Sequence, residues 1–477
     1  MNEKRPELVR GLGPWATMAM VVGHIIGTGV FLVPSAMARA TGSVGLVFLV
    51  WIIGGILSLF GALTIAELGA AMPEAGGPYV YLKRGFGPAW GFLFGWMNNM
   101  VGKPASISTI AAGFLIFVGF FVPAVRTPIF TLYLTMPFTG HTSEFVFTWA
   151  QPLAAAAIAF ISVINYLGVR LAGRLQVALT SIKIGAILAV VVLGLLFGGH
   201  RAPNTQAFLP PALNLGLLTG FLTAMVGALW AYDGWIDLTF AGSEVVEPQK
   251  NIPRAVVGGT MIVGVIYLLA NTVYFRVLPI EVVAAAQNVA SETVRAFAGS
   301  RAAAWISVAM VVSAFTTLNS SILTGARVPY AMARDGLFFR VADGIHPQFR
   351  TPSGAIVFQG ILACIMVLTG QFEDLFSLFI FAQWIFYALS VASVYGSRLK
   401  EPDLPRPYRA WGYPLVPGIF VAGAFALTVN LWQQRPGRST IGLLLILAGL
   451  PFYRRWSKPP GGTGIPACAA DRRIPHE

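Results

Sequence analysis

Apolar residues in this chain come in long, nearly unbroken runs rather than in the narrow stripes of a water-soluble helix or strand. Twelve runs stand out, at roughly 14–40, 44–71, 88–121, 150–168, 174–197, 214–242, 255–278, 300–331, 353–370, 374–396, 415–433 and 437–456. An α-helix needs about 17–25 residues to cross some 30 Å of hydrocarbon. The pattern therefore predicts an all-α polytopic membrane protein with 12 transmembrane helices. Residues 1–13 form a short N-terminal segment, 14–456 the membrane domain, and 457–477, rich in Pro, Gly and Arg, an expected disordered tail. Ala36-Met37-Ala38 has the small-residue look of a signal-peptide cleavage site. The run before it is too long for that reading, and further spans follow.

Two runs are interrupted where a helix ought to be continuous. Gly27-Thr28-Gly29 lies in the middle of the first, and two glycines around a hydroxyl residue are poor helix formers. In lipid every backbone amide and carbonyl needs a partner, so a broken helix survives only where protein covers it or it lines a cavity. A break frees N–H groups at the start of a second half-helix, an end that carries partial positive charge. Small-residue packing against a neighbouring helix is the alternative reading of the triplet. The sixth run reads Leu229-Trp230-Ala231-Tyr232-Asp233-Gly234-Trp235-Ile236-Asp237. Two aspartates, a glycine and three aromatics in mid-span predict a second break. It lies five spans after the first, the spacing of an inverted-repeat carrier. The repeats would run from about 14 to 197 and from about 214 to 396, with two helices, about 415–456, appended.

Charge orients the chain. With a cytoplasmic N-terminus, 22 Lys and Arg fall on cytoplasmic loops and ends and 8 on the outer side, leaving Lys103 and Lys183 within spans. Basic residues favour the cytoplasmic side, so both termini are expected there, in the cell membrane. The net charge of +13 then reflects loops facing anionic lipid, and no nucleic-acid partner is expected. Cys364 and Cys468 cannot build a disulfide framework. Five scattered histidines offer no metal site, and no phosphate-binding loop is present, so neither metal, cofactor nor ATP-driven work is expected.

Three further positions carry chemistry. Glu67, near the end of span two, reads as a structural ion pair. Lys103-Pro104 follows Asn98-Asn99 in span three; the proline predicts a kink, and the lysine is costly unless it points into protein or water. Lys183 lies nine residues beyond Arg174, about 14 Å deep at 1.5 Å per residue, where an unpaired lysine costs about 3 kcal/mol. That depth favours a coupling or gating role over reaching back to the headgroups.

Four patches together resemble the amino acid–polyamine–organocation transporters, closest to the L-type amino acid branch and its bacterial relatives. They are Gly27-Thr28-Gly29-Val30-Phe31, Pro73 to Tyr81, Ala231-Tyr232-Asp233-Gly234-Trp235 with Gly242 to Arg254, and Tyr330-Ala331-Met332-Ala333-Arg334-Asp335-Gly336. The resemblance implies a five-plus-five inverted repeat of the LeuT type and alternating access. It implies that Ile26, Gly27, Thr28 and Gly29 bind a substrate carboxylate, and that carbonyls of Trp230, Ala231 and Asp233 take its amino group. It further implies that Trp230 closes over the substrate and that Lys183 replaces the sodium ion of sodium-coupled cousins. Asp233 departs from the small residue many L-type members have, and Ile236 from a polar one. Animal members use a cysteine between spans three and four to link a glycoprotein subunit. Residues 122–149 have none, so no disulfide-linked partner is expected, only a monomer or loose homo-oligomer in the bilayer.

The expected function is sodium-independent exchange of small or neutral L-amino acids. A proton-coupled symporter and a cationic amino acid or polyamine carrier are the alternatives. An ion channel should show a repeated filter, and a membrane enzyme a cluster of titratable groups at one face; neither pattern is seen. Asp233 separates the coupling modes. As a poorly solvated carboxyl it could load a proton, as an ionised one it could hold the amine, or it could merely cap a half-helix. The second is expected, with Lys183 as counter-charge.

Overall fold

The computed structural model describes residues 8–135, 142–199, 215–369, 372–434 and 436–457. The tail beyond 457, with Cys468, lies outside them. Each of the twelve apolar runs contains helix, the sixth only as far as Ala231. The first is divided into α1 (Pro14–Ile25) and α2 (Gly29–Thr41); the second is α3 (Val44–Ala71). A short α4 (Pro78–Gly85) follows, then α5 (Pro88–Met97) and α6 (Lys103–Phe121), joined by a π-helical turn at Asn98–Gly102. The stretch 122–149 is built around a β-hairpin, β1 (Pro128–Thr135) with β2 (Thr142–Thr148), in which Phe130 stacks on Phe147 at 4.8 Å.

Next come α7 (Ala150–Tyr166), α8 (Val169–Phe197), α9 (Leu215–Ala231), α10 (Pro248–Val277), α11 (Ile280–Ala285), α12 (Val289–Gly325) and α13 (Arg327–Arg334). Gly299 kinks α12 with φ 83°. The chain ends with α14 (Ser353–Thr369), α15 (Phe372–Lys400), α16 (Leu415–Gln434), α17 (Pro436–Leu447) and α18 (Gly449–Trp456). Among the described residues, eight helical segments are long and apolar enough to cross a membrane. The helices Ala150–Tyr166, Gly216–Ala231 and Ser353–Thr369 are apolar but shorter. The chain is thus a multi-pass helical membrane protein.

Both breaks exist, but they differ. The first restarts as a thirteen-residue α-helix. After the second, span six does not regain α-helix: Asp237–Phe240 and Gly242–Glu244 are 3-10 turns. Gly234 explains part of this. Its φ of +113° suits glycine alone, and a Cβ there would lie 2.5 Å from the His24 ring. The chain then runs out to Val245, which bridges to Leu12.

Ion pairs close the end of the bundle where Leu12 and Val245 meet. Glu244 is buried and pairs with Arg327 at 2.6 and 3.0 Å, while its carbonyl accepts from the Gly11 and Leu12 amides at 2.9 Å. Glu67 is the structural ion pair the sequence suggests. It accepts from Arg398 at 2.9 and 2.6 Å and from the Ala410 amide at 2.6 Å, with Arg406 at 3.5 Å. Tyr79 and Lys83 both donate to Asp335, at 2.5 and 2.6 Å. Burial and the Asp335 carboxylate push the Tyr79 phenol above its ordinary range.

Candidate functional site

The two breaks face each other across one cavity. Its wall includes His24, Gly27, Thr28 and Gly29 from the first break and Trp230, Ala231 and Asp233 from the second, with Ser106 and Thr109 from α6 and Thr317 from α12. Its interior is about 50 Å³ on a scale where one water takes about 10–15 Å³. A small solute fits it, and a bulky one does not in this conformation.

The first break presents donors. Among the described residues, the amides of Thr28, Gly29 and Val30 make no hydrogen bond, as the first amides of a helix must unless something outside it accepts. Most carbonyls around this break are engaged, and Ile25 accepts from the Gly27 amide at 2.8 Å. Gly23 and Ile26 accept from the Lys183 ammonium, the first at 2.8 Å, and Ser313 accepts a longer third bond at 3.4 Å. Gly27 accepts from the Ser313 hydroxyl at 3.1 Å. Lys183 thus ties α8 to the end of α1 and to α12.

One hydroxyl joins the two breaks. Tyr267 of α10 lies 2.9 Å from the Ile25 carbonyl and 2.9 Å from the Ala231 carbonyl. These are the last carbonyls of α1 and α9, the groups a broken helix leaves without an intrahelical partner. The backbones approach closely here, since a Cβ on Gly29 would stand 2.8 Å from the Ala231 Cβ.

Asp233 accepts from the Tyr387 hydroxyl at 2.5 Å. Two expectations for it change. It caps no half-helix, because none follows. Lys183 is not its counter-charge, because the ammonium binds carbonyls instead. Lys103 pairs with the neighbouring Asp237, its Nζ lying 2.5 Å from Asp237 Oδ1. Asp237 Oδ2 in turn lies 2.8 Å from His24 Nε2, and His24 Nδ1 lies 3.1 Å from Ser320 Oγ. All four side chains are buried.

Of the residues singled out from the sequence, Gly27, Thr28, Gly29, Trp230, Ala231 and Asp233 line the cavity. Ile26 does not: it is fully buried, and its carbonyl is held by Lys183. Lys183 stands behind the first break rather than in the cavity wall. Sequence reasoning missed His24, Ser106, Thr109, Tyr267, Thr317 and Tyr387. His24 alone had a readable signal, as an ionisable residue inside an apolar run three positions before a helix break.

Two interrupted helices, their free backbone groups turned toward one cavity in an apolar bundle, define a membrane transporter rather than an enzyme. Comparison with known proteins makes the class specific. The amino acid permease family matches residues 12–450, and the chain belongs to it. It is 33% identical to the serine/threonine exchanger SteT of Bacillus subtilis, over 95% of this chain and 98% of that protein. It is 32% identical to the mouse b(0,+)-type amino acid transporter 1 and 30% identical to the human cystine/glutamate transporter. Those matches cover 94% and 96% of this chain, and 88% of each relative.

Proposed function

We propose that the protein exchanges small or neutral L-amino acids across the cell membrane by alternating access, without sodium. The observation that carries this reading is the pairing of free amides with the partly free Ala231 carbonyl across one cavity. Thr28, Gly29 and Val30 can donate to an α-carboxylate at the positive end of α2. The Ile25 carbonyl already accepts from both Tyr267 and the Gly27 amide, whereas the Ala231 carbonyl accepts from Tyr267 and keeps room for an α-ammonium.

The size of the cavity favours a small side chain. The Thr109 hydroxyl is buried in its wall and has no hydrogen-bond partner among the described residues, so a hydroxyl on the substrate would satisfy it. The serine/threonine exchange of the Bacillus relative agrees with that choice. Lys183 holds two carbonyls of the first break and one of α12 with its ammonium, which leaves no demand for a sodium ion there.

The same reading has the chain cross the membrane twelve times, with both termini cytoplasmic. Spans one to five and six to ten then form inverted repeats of five, and α16 to α18 supply the appended pair. The absence of cysteine from 122–149 supports a protein that works without a disulfide-linked subunit.

Purified protein in proteoliposomes tests the function. Uptake of labelled serine should require unlabelled amino acid inside and should proceed at the same initial rate when choline replaces sodium. Equal uptake into empty vesicles would refute exchange. A steep dependence on sodium would refute the role given to Lys183.

A further inference from the structure

The hairpin between α6 and α7 has an apolar face that the described chain leaves uncovered. In the strand register Phe130 pairs with Phe147 and Leu132 with Phe145. Alternate residues of a strand point to opposite faces, so these four share one face, while Thr131 and Tyr133 fall on the other. The ring contacts agree, since Phe147 stacks on Phe130 and lies 6.3 Å from Phe145. Phe130 and Leu132 are nonetheless 45% and 48% exposed. A lone two-stranded hairpin is marginal in water and needs its apolar face packed on something. An exposed patch of this kind marks a contact surface.

Three features of the same region point to lipid. First, the hairpin is fixed to a helix that enters the membrane. Gln151, in the first turn of α7, accepts from the Thr148 amide at 2.9 Å and from its hydroxyl at 2.7 Å, and donates to the Val146 carbonyl at 3.2 Å. Only Trp149 separates β2 from α7, so Phe147 lies at most about 10 Å along the chain from the helix start. Second, the lipid-facing surface of α7 runs up to that point. Trp149, Leu153, Phe160 and Val163 are all exposed, and at about 100° per residue they fall within about 80° of one another. Trp149 tops this stripe, and tryptophan is enriched where bilayer meets water. Third, α7 is short. Its 17 residues rise about 26 Å, against a hydrocarbon core of about 30 Å. The aromatic face of the hairpin continues the apolar surface past the N-terminal end of the helix and reduces that mismatch.

We propose that the hairpin docks on the bilayer surface, with Phe130, Leu132, Phe145 and Phe147 seated between the headgroups and the upper acyl chains and with Thr131 and Tyr133 turned to water. The free strand edges stay at headgroup level, where water satisfies their amides and carbonyls; the hydrocarbon core would not. None of the four seated side chains is charged, so apolar burial and not headgroup charge drives the contact. The docked hairpin holds the N-terminal end of α7 and the adjoining end of α6 at a fixed depth, and α6 carries Ser106 and Thr109 of the cavity wall. The placement follows from the membrane fold alone and holds whatever solute the cavity takes.

The test replaces Cys364 and Cys468 by serine and introduces one cysteine at a time, Leu132→Cys or Tyr133→Cys, for labelling with an environment-sensitive fluorophore. The full chain is then reconstituted in phosphatidylcholine vesicles. A nitroxide carried by the lipid near its headgroup should quench the label at 132 several times more strongly than the label at 133. Iodide on both sides of the membrane should quench them in the reverse order. Where Leu132→Cys does not fold, Phe145→Cys reads the same face, and Thr131→Cys serves as a second reporter of the opposite one. Equal quenching of the two faces, or the opposite order, overturns the placement. Protection of the label at 132 that fades as the protein is diluted into excess lipid also overturns it, because a second copy of the chain would then be the occupant. Lipid quenching that persists on dilution is the expected result.

Discussion

Tyr267→Phe removes one oxygen from the protein and keeps the ring that packs on Trp51 and Tyr232, at centroid distances of 5.1 and 5.2 Å. The lost hydroxyl has one hydrogen and two acceptors at equal distance, so it supplies one hydrogen bond divided between the two breaks. A net hydrogen bond is worth about 0.5–1.5 kcal/mol, and interhelical ones in membranes average about 0.6. The Ile25 carbonyl keeps the Gly27 amide, so only the Ala231 carbonyl is orphaned, and it raises the ceiling to about 3 kcal/mol if it stays dry. At about 1.4 kcal/mol per factor of ten, this predicts a loss of affinity of roughly 3- to 10-fold, and no more than about 150-fold. The assay is the concentration dependence of labelled serine exchange in proteoliposomes, with thermal unfolding in detergent as a check on folding. The expected signature is a raised KM with a folded protein, because the two breaks no longer hold a common spacing. Unchanged affinity in a folded Tyr267→Phe protein would refute the claim that this hydroxyl sets the geometry of the site.

Two further perturbations test the backbone and the closed end. Gly29→Ala would press a methyl group into Ala231, not into the open cavity, and should cost about a hundredfold in kcat/KM, the scale on which a displacement of about 1 Å acts. Gly27→Ala, whose nearest neighbour would be Thr317 Oγ1 at 3.7 Å, should lose much less, and equal losses would argue against close approach as the cause. Arg327→Met strands the buried Glu244 carboxylate and should lower stability by about 3–5 kcal/mol in thermal or denaturant unfolding. Adding Glu244→Leu should recover much of that, and a double variant no more stable than the single one would show that the pair is not the source.

Helix existence and the two breaks were legible because membrane burial leaves coarse signals: run length, and glycine or aspartate where neither suits a helix. The cavity-lining residues Gly27, Thr28, Gly29, Trp230, Ala231 and Asp233 followed directly. What escaped was pairing across the bundle. Nothing in the spacing of Lys103 and Asp237, 134 residues apart, announces that they meet, so Lys183 was taken as the counter-charge of Asp233 instead. The depth count for Lys183 was sound, but depth does not say which way a side chain points. Ile26 was drawn in with its neighbours, although a carbonyl at a helix end can turn toward a lysine as readily as toward a cavity. The half-helix expected after Gly234 was an inference from symmetry, and local φ and two short turns overrode it.

Glu67 and Lys103 also impose an order on synthesis. Glu67 is made 331 residues before Arg398, and at about 5–20 residues per second the ribosome needs roughly 15–65 s to deliver that partner. The carboxylate sits four residues from the end of α3, where it can wait in contact with water. Lys103 has no such berth. It waits for Asp237 across 134 residues, within an apolar run. The nascent α5–α6 segment therefore has to remain in the aqueous or proteinaceous shelter of the insertion machinery until α9 and the turns after it arrive, so that the first half of the chain enters the bilayer as a group rather than helix by helix.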